Sequence, residues 1–235
     1  MLQHIINRRH RNFYIGLILL VLFFVFLRLP NFVKNDQQLS SIIYNYFDST
    51  PITRFFAFIT DYTLGYAFGP LIILLFILYK RWWKTAIFFT VSLILLTAFR
   101  LELSQWVERP RPFIFNPAIE YLGGIKASGN SFPSGHSTQA FFLAYFITTR
   151  FKTNRHITIL VYLIGLLVLL SRVYLGAHYI FDVVAGGILG LIWGYASYNL
   201  FVKFLEQTTH LPTTPQHDPL ETTPKKVVEV EKIKS

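Results

Sequence analysis

Ile157-Thr-Ile-Leu-Val-Tyr-Leu-Ile-Gly-Leu-Leu-Val-Leu-Leu-Ser171-Arg172-Val-Tyr-Leu-Gly-Ala-His178-Tyr-Ile-Phe-Asp182 joins the end of one apolar run to the start of another. A bilayer's hydrocarbon core is ~30 Å thick and takes ~20 apolar residues to cross as a helix. The runs at roughly 157–175 and 179–202 meet that length. Where they meet stand an arginine, a histidine and a carboxylate. Ionisable groups beside lipid-spanning helices are costly and mark functional sites. The stretch therefore predicts an all-α membrane fold with a polar site at one end of its helices.

The rest of the chain agrees. Of its 235 residues, 53% are hydrophobic and only 14% are charged, against about a quarter charged in a soluble domain. Mean hydropathy is +0.43. Further apolar runs lie at roughly 13–33, 60–79, 84–104 and 136–150, which gives six expected spans. The run at 136–150 is short and opens on polar Ser137, Thr138 and Gln139, as in a helix shielded by its neighbours. Arg8, Arg9 and Arg11 precede the first run, but Phe26-Leu-Arg-Leu-Pro30 offers no small-residue cleavage site, so an uncleaved span is expected. With no cysteine in the chain, disulfides and thiolate chemistry are excluded.

The formal net charge of +10 does not imply nucleic acid. The basic residues form short clusters between apolar runs: Arg8, Arg9 and Arg11; Lys80, Arg81 and Lys84; Arg150, Lys152 and Arg155; Lys203, Lys225 and Lys226. With six spans all four clusters fall on one side, which the positive-inside rule makes cytoplasmic. Both termini are then cytoplasmic. Residues 34–59, the loop 105–135 and the turn 173–178 face outward, and the polar motifs meet there. Residues 34–59 have the spacing of an amphipathic helix at the outer interface. The domain expected is 1–205, six transmembrane helices with the motifs within 100–182. Residues 206–235, rich in Thr, Pro, Lys and Glu, read as a disordered cytoplasmic tail.

Three segments carry chemistry. In Pro133-Ser134-Gly135-His136 a turn opens a helix, whose first N–H groups favour an anion. Ser134 adds a hydroxyl, Gly135 lets a ligand approach the backbone, and His136 can protonate a leaving oxygen. A helix cap with an interfacial histidine is the plainer alternative. In the quoted stretch His178 and Asp182 are four apart and share a face if helical. A carboxylate there can hold one imidazole nitrogen and free the other as a nucleophile. Arg172 offers a planar fork to phosphate. A structural Asp–His pair is the alternative; a metal site lacks the further ligands it requires. In Glu108-Arg109-Pro110-Arg111-Pro112 the prolines hold two arginines as an oxyanion clamp, or as contacts to lipid headgroups.

Together these segments resemble the signature of the type 2 phosphatidic acid phosphatase superfamily, KxxxxxxRP, PSGH and SRxxxxxHxxxD. Pro133 to His136 match the second part. Ser171, Arg172, His178 and Asp182 match the third. Arg111-Pro112 match the end of the first, but its lysine position holds Ser104. The resemblance covers roughly residues 60–200 and implies a six-helix membrane fold with an outward-facing site. It implies metal-independent hydrolysis, without a cofactor, through a phosphohistidine. By position, His178 resembles the nucleophile, Asp182 the residue that orients it, and His136 the general acid. Arg111, Arg172, Ser134 and Gly135 resemble the phosphate-binding groups. The length and the run Trp106-Val-Glu-Arg109 resemble bacterial envelope-lipid phosphatases, which implies undecaprenyl diphosphate, phosphatidylglycerophosphate or phosphatidate as substrate. A phosphotransferase using the same intermediate, and a catalytically weak lipid-binding protein, are the competing readings; only Ser104 favours the latter. Arg100, one helical turn before Ser104, is the leading candidate to replace the lysine, ahead of Lys126 and Arg109.

Overall fold

The structure, a computed structural model, describes residues 2–46, 50–60, 74, 83–124 and 128–209. Its elements, in order, are α1 (Leu2–Phe26), α2 (Pro30–Tyr46), α3 (Thr50–Ala57), α4 (Trp83–Val107), α5 (Pro112–Phe115), α6 (Gly135–Arg150), α7 (Arg155–Tyr174) and α8 (Ile180–Thr209). The expected all-α class holds for the described residues. Nearly all of the run at 60–79, Lys80 and Arg81, Lys126, and the tail beyond 209 lie outside them.

Among the described residues three helices, within α4, α7 and α8, are long and apolar enough to cross a membrane. The number is four if α1 and α2 form one broken span. The expected run at 13–33 crosses that break. α1 ends at Phe26, the chain turns, and α2 leaves at 101°. Short i→i−3 bonds from Arg28 N to Val25 O and Leu29 N to Phe26 O close α1. Pro30, with no N–H to donate, is suited only to open a new helix. The amphipathic segment expected within 34–59 is found as α2 and α3, with Asp36 and Ser40 on a buried face and Leu39 and Ile42 exposed.

Surface and interior are both apolar. Ile15, Ile18, Val21, Ile94, Leu95, Leu160, Leu163 and Leu167 are exposed, as side chains that meet lipid rather than water would be. Packing between helices therefore has to come from close fit and polar contacts, not from hydrophobic exclusion. α6 and α8 make the most extensive contact. Along it, a Cβ on Gly186 would stand 2.6 Å from Ser134 O, one on Gly190 would overlap the Thr138 carbonyl, and one on Gly194 would stand 3.0 Å from Tyr145 Cβ. This seam of small residues draws the two backbones together, and with them their site-bearing ends. Phe89, Phe132, Phe142, Phe146, Ala185 and Leu189 fill the adjoining core. Between α4 and α8, Trp193 Nε1 donates to Ser92 O at 3.1 Å and Ser92 Oγ donates to Ser197 Oγ at 2.6 Å.

α6 spans only 16 residues, about 24 Å at 1.5 Å per residue, and its Ala140, Phe142, Ala144 and Phe146 are buried by neighbouring helices. That is the shielded helix its length suggested. The C-terminal ends of α4 and α7 and the N-terminal ends of α6 and α8 gather at one pole. At the other, Arg150 at the end of α6 reaches Thr85 near the start of α4 and lies over the ring of Phe201 on α8.

Candidate active site

His178 lies not on a helix but in the turn between α7 and α8. Leu175 N donates to Ser171 O, and the N–H groups of Ala177 and His178 both return to Arg172 O. Gly176 takes φ +71°, where a side chain would be strained and would press on Glu120 O. This tight turn delivers the imidazole to the centre of the pole. The ring is 3% exposed. Its Nδ1 is 2.7 Å from Ser131 O, and its Nε2 is 3.2 Å from Arg111 Nη1. A carbonyl can only accept and a guanidinium can only donate, so Nδ1 carries the proton and the Nε2 lone pair accepts from Arg111. Burial, and then the charges of Arg111 and Arg172, push the imidazole well below its ordinary range. His178 is therefore neutral at physiological pH, with its Nε2 lone pair turned to Arg111.

Asp182 is fully buried in the first turn of α8. Its relation to His178 is less direct than the spacing suggested, since Oδ2 is 3.9 Å from Nδ1. That oxygen instead accepts from Ser131 Oγ and from Tyr179 N at 3.0 Å, and the Asp182 carbonyl accepts from Ser134 N at 3.0 Å. Asp182 thus fixes both Ser131, whose carbonyl holds the imidazole, and the residue after His178.

The arginine pair of the proline-rich segment divides. Arg111 donates from Nε to Gly129 O at 2.9 Å, from Nη2 to Ser128 O at 2.8 Å, and from Nη1 to Ala177 O at 3.0 Å, which aims its remaining face at His178. Arg109 does not join this clamp. Its Nη1 donates to Asp182 Oδ1 at 2.6 Å and its Nη2 to Asp36 Oδ2 at 2.7 Å. Asp36 also accepts from Phe181 N, and Ser40 Oγ accepts from Ile180 N. α2 therefore caps α8 from outside, with a buried carboxylate–guanidinium–carboxylate chain between them. Sequence reasoning assigns no site role to Asp36, Ser40 or Ser131. Each is an ordinary polar residue whose partner lies far away along the chain.

Ser134 is the N-cap of α6: its hydroxyl accepts from Ser137 N and its carbonyl from Thr138 N. With its own N–H on Asp182 O, Ser134 is largely engaged in holding the loop. The N–H groups of Gly135 and His136 open the helix. Arg100, on α4, extends to this point: a Cβ on Gly135 would stand 3.4 Å from Arg100 Nε and 3.5 Å from its Cζ. Arg172 is buried and donates to Thr60 Oγ1 at 3.2 Å. Arg100, Arg111 and Arg172 all lie close enough to act on His136. The structure thus brings together every predicted site residue, Arg100 included, at one electropositive pole. Ser104 is buried nearby, with its carbonyl accepting from Asn130 Nδ2. Among the described residues no three His, Asp or Glu side chains converge as metal ligands.

A buried neutral histidine, a second histidine at a helix start and three arginines meet at this pole. The model of the PAP2 superfamily matches residues 85–206. The chain belongs to the PAP2 superfamily. Among PAP2 relatives, Lipid A 4'-phosphatase of Porphyromonas gingivalis is 31% identical over 137 residues, 55% of this chain and 58% of that one. The chain thus matches little more than half of that relative's length. Undecaprenyl-diphosphatase of Sulfolobus acidocaldarius is 31% identical over 191 residues, 77% of this chain and 87% of that one. The PAP2 fold is shared with the crystal structure of a transmembrane PAP2 type phosphatidylglycerolphosphate phosphatase from Bacillus subtilis. The TM-score is 0.65 at 24% identity, over 84% of this chain and 98% of that chain. With its apolar spans, this chain is a multi-pass membrane protein.

Proposed function

We propose that the protein is a membrane lipid phosphatase that cleaves a lipid phosphate or diphosphate through a phosphohistidine on His178. The observation that carries this is the tautomer: Nδ1–H is held by the Ser131 carbonyl, and Nε2 presents its lone pair beside Arg111. In the first step Nε2 bonds to phosphorus and the bond to the leaving oxygen breaks, while His136 gives that oxygen a proton. In the second step water bonds to phosphorus, His136 takes the water's proton, and the phosphorus–nitrogen bond breaks to release inorganic phosphate. Arg111, Arg172 and Arg100, with the open N–H groups at Gly135 and the Ser134 hydroxyl, spread the charge of the transferring group, which is the main help phosphoryl transfer needs. Undecaprenyl diphosphate, phosphatidylglycerophosphate and phosphatidate are the substrates proposed, and the names of the relatives support lipid phosphates as the class. Purified protein given each of the three, with excess chelator, is expected to release phosphate from at least one. Activity that vanishes with chelator and returns with one divalent ion would overturn the metal-free step.

Six spans, a body at 1–205, a cytoplasmic tail at 206–235 and an outward-facing site complete the proposal. The basic ends of α6 and α7, opposite the site pole, support the orientation. Because the chain has no cysteine, single cysteines report cleanly. Ser128→Cys is expected to react with an impermeant reagent in intact cells, and Thr153→Cys is not. The reverse pattern would invert the orientation.

Arg100 takes the place of the lysine that Ser104 lacks. The contact with Gly135 supports this, since it sets the guanidinium beside the anion-facing start of α6. Arg100→Ala is expected to raise KM and lower kcat, and adding Ser104→Lys to recover much of the loss. Unchanged kinetics in Arg100→Ala would show that the site works with two arginines.

A further inference from the structure

Next to the turn that bears His178 and the segment that bears Arg111 is a cavity that the hydrolytic steps leave unused. It has a volume of about 410 Å³. Lys34, Gln37, Gln38 and Ser41 of α2 form one side, Phe115 and Asn116 the other, and Tyr179 closes it. The four α2 residues follow the i, i+3, i+4, i+7 spacing of a single helix face. That face is distinct from the one on which Asp36 and Ser40 cap α8, and from the apolar Leu39 and Ile42. A helix with three such faces buries one, exposes a second to apolar surroundings, and turns its polar third toward a cavity open to the outside. Lys34 pairs with no carboxylate among the described residues.

Two of the cavity's lining residues, Pro112 and Tyr179, directly follow Arg111 and His178 in the chain. Arg111 stands 3.2 Å from Nε2 of His178, so two chain neighbours of the groups that would hold the scissile phosphate line the cavity. Tyr179 also carries the Arg109 guanidinium 4.1 Å from its ring centroid, which ties the cavity to the Asp182 chain. One cation, three carboxamides, a hydroxyl and an aromatic face suit a polar ligand that bears hydroxyls and a negative charge.

We propose that this cavity binds the polar headgroup that lies beyond the scissile phosphate, and selects lipid phosphates whose headgroup carries a hydroxyl and a second anionic group. The inference rests on the lipid-phosphatase reading. Lys34 pairs with the second anion, while Gln37, Gln38 and Asn116 hydrogen-bond the hydroxyl. A substrate with only the scissile phosphate leaves these groups to water.

Two measurements test it. In the first, Lys34→Ala and Gln37→Ala are compared with the unaltered chain on two substrates. Phosphatidylglycerophosphate carries a glycerol hydroxyl and a diester phosphate beyond the scissile group; phosphatidate carries neither. Each variant is expected to raise KM about tenfold for the first, as loss of one charged or bidentate contact does, and less than about twofold for the second, with kcat unchanged on both. An equal change on both substrates overturns the proposal. The second reads occupancy without turnover. Gln38→Cys, combined with His178→Ala, is treated with a thiol reagent in the presence of phosphatidylglycerophosphate, phosphatidate or inorganic phosphate. Protection by the first alone supports the headgroup site. Protection by inorganic phosphate makes it a plain anion site, and no protection makes it no site; either overturns the proposal. Protection without phosphate release in the catalytically intact chain would sink the hydrolytic reading and leave the cavity's ligand standing. Release without protection would do the opposite.

Discussion

His178→Ala abolishes phosphate release, with an expected loss of several orders of magnitude, comparable to removing a nucleophile elsewhere. In the proposed mechanism the imidazole takes the phosphoryl group, since its Nε2 lone pair faces Arg111. The fold does not depend on this ring. The turn that bears it is held by backbone bonds from Ala177 and His178 to Arg172 O, and by Tyr179 N on Asp182. The variant is therefore expected to retain its helical circular dichroism and its behaviour in detergent while losing catalysis. A second signature follows from the covalent step. The unaltered enzyme, quenched in alkaline detergent during turnover of a ³²P-labelled lipid phosphate, carries base-stable label that acid removes, and the variant carries none. Near-normal turnover in His178→Ala would remove the residue from the mechanism.

Arg109→Ala has the second-largest effect, and here stability and activity fall together. The side chain is 7% exposed and lies between Asp36 and Asp182, both fully buried. Removing it leaves two buried carboxylates facing one another without a cation. Breaking a buried ion pair in this way costs about 3–5 kcal/mol, which a melting curve in detergent registers as a marked fall in Tm. Catalysis suffers as well, because Asp182 anchors Ser131, and the Ser131 carbonyl holds the nucleophile's Nδ1. Adding Asp36→Asn removes one uncompensated charge while keeping an oxygen for Phe181 N, so the double variant is expected to melt higher than Arg109→Ala alone. A Tm and activity unaltered by Arg109→Ala would mean that the two carboxylates do not rely on it. A double variant that melts lower would mean that Asp36 stabilises α8 by capping alone.

Some of this was legible in the chain because the cause is local. Apolar runs of bilayer length announce α4, α7 and α8, since lipid admits few alternatives to a helix. Pro133-Ser134-Gly135 announces the start of α6, because a serine hydroxyl is the nearest acceptor for the helix's open N–H groups. Arg111, Arg172, His136, His178 and Asp182 stand out because charge and imidazole are conspicuous between apolar helices. A further local signal, the Gly186, Gly190 and Gly194 spacing, was there to be read as a close helix contact.

What only the tertiary structure decided are the partners. Two arginines of one short segment look equivalent as sequence, yet Arg111 faces the nucleophile and Arg109 joins two carboxylates. That choice depends on Asp36, on a helix that leaves α1 at 101° and packs over α8. The spacing of His178 and Asp182 suggested direct contact on one helix face. The turn at Gly176 places His178 outside the helix, and the Ser131 carbonyl comes between them in role. Arg100 meets Gly135 only because α4 and α6 end at the same pole. A hydrogen bond or ion pair is set by distances of a few ångströms between segments far apart in sequence. Local propensity and apolar pattern carry no information at that range until the helices have packed.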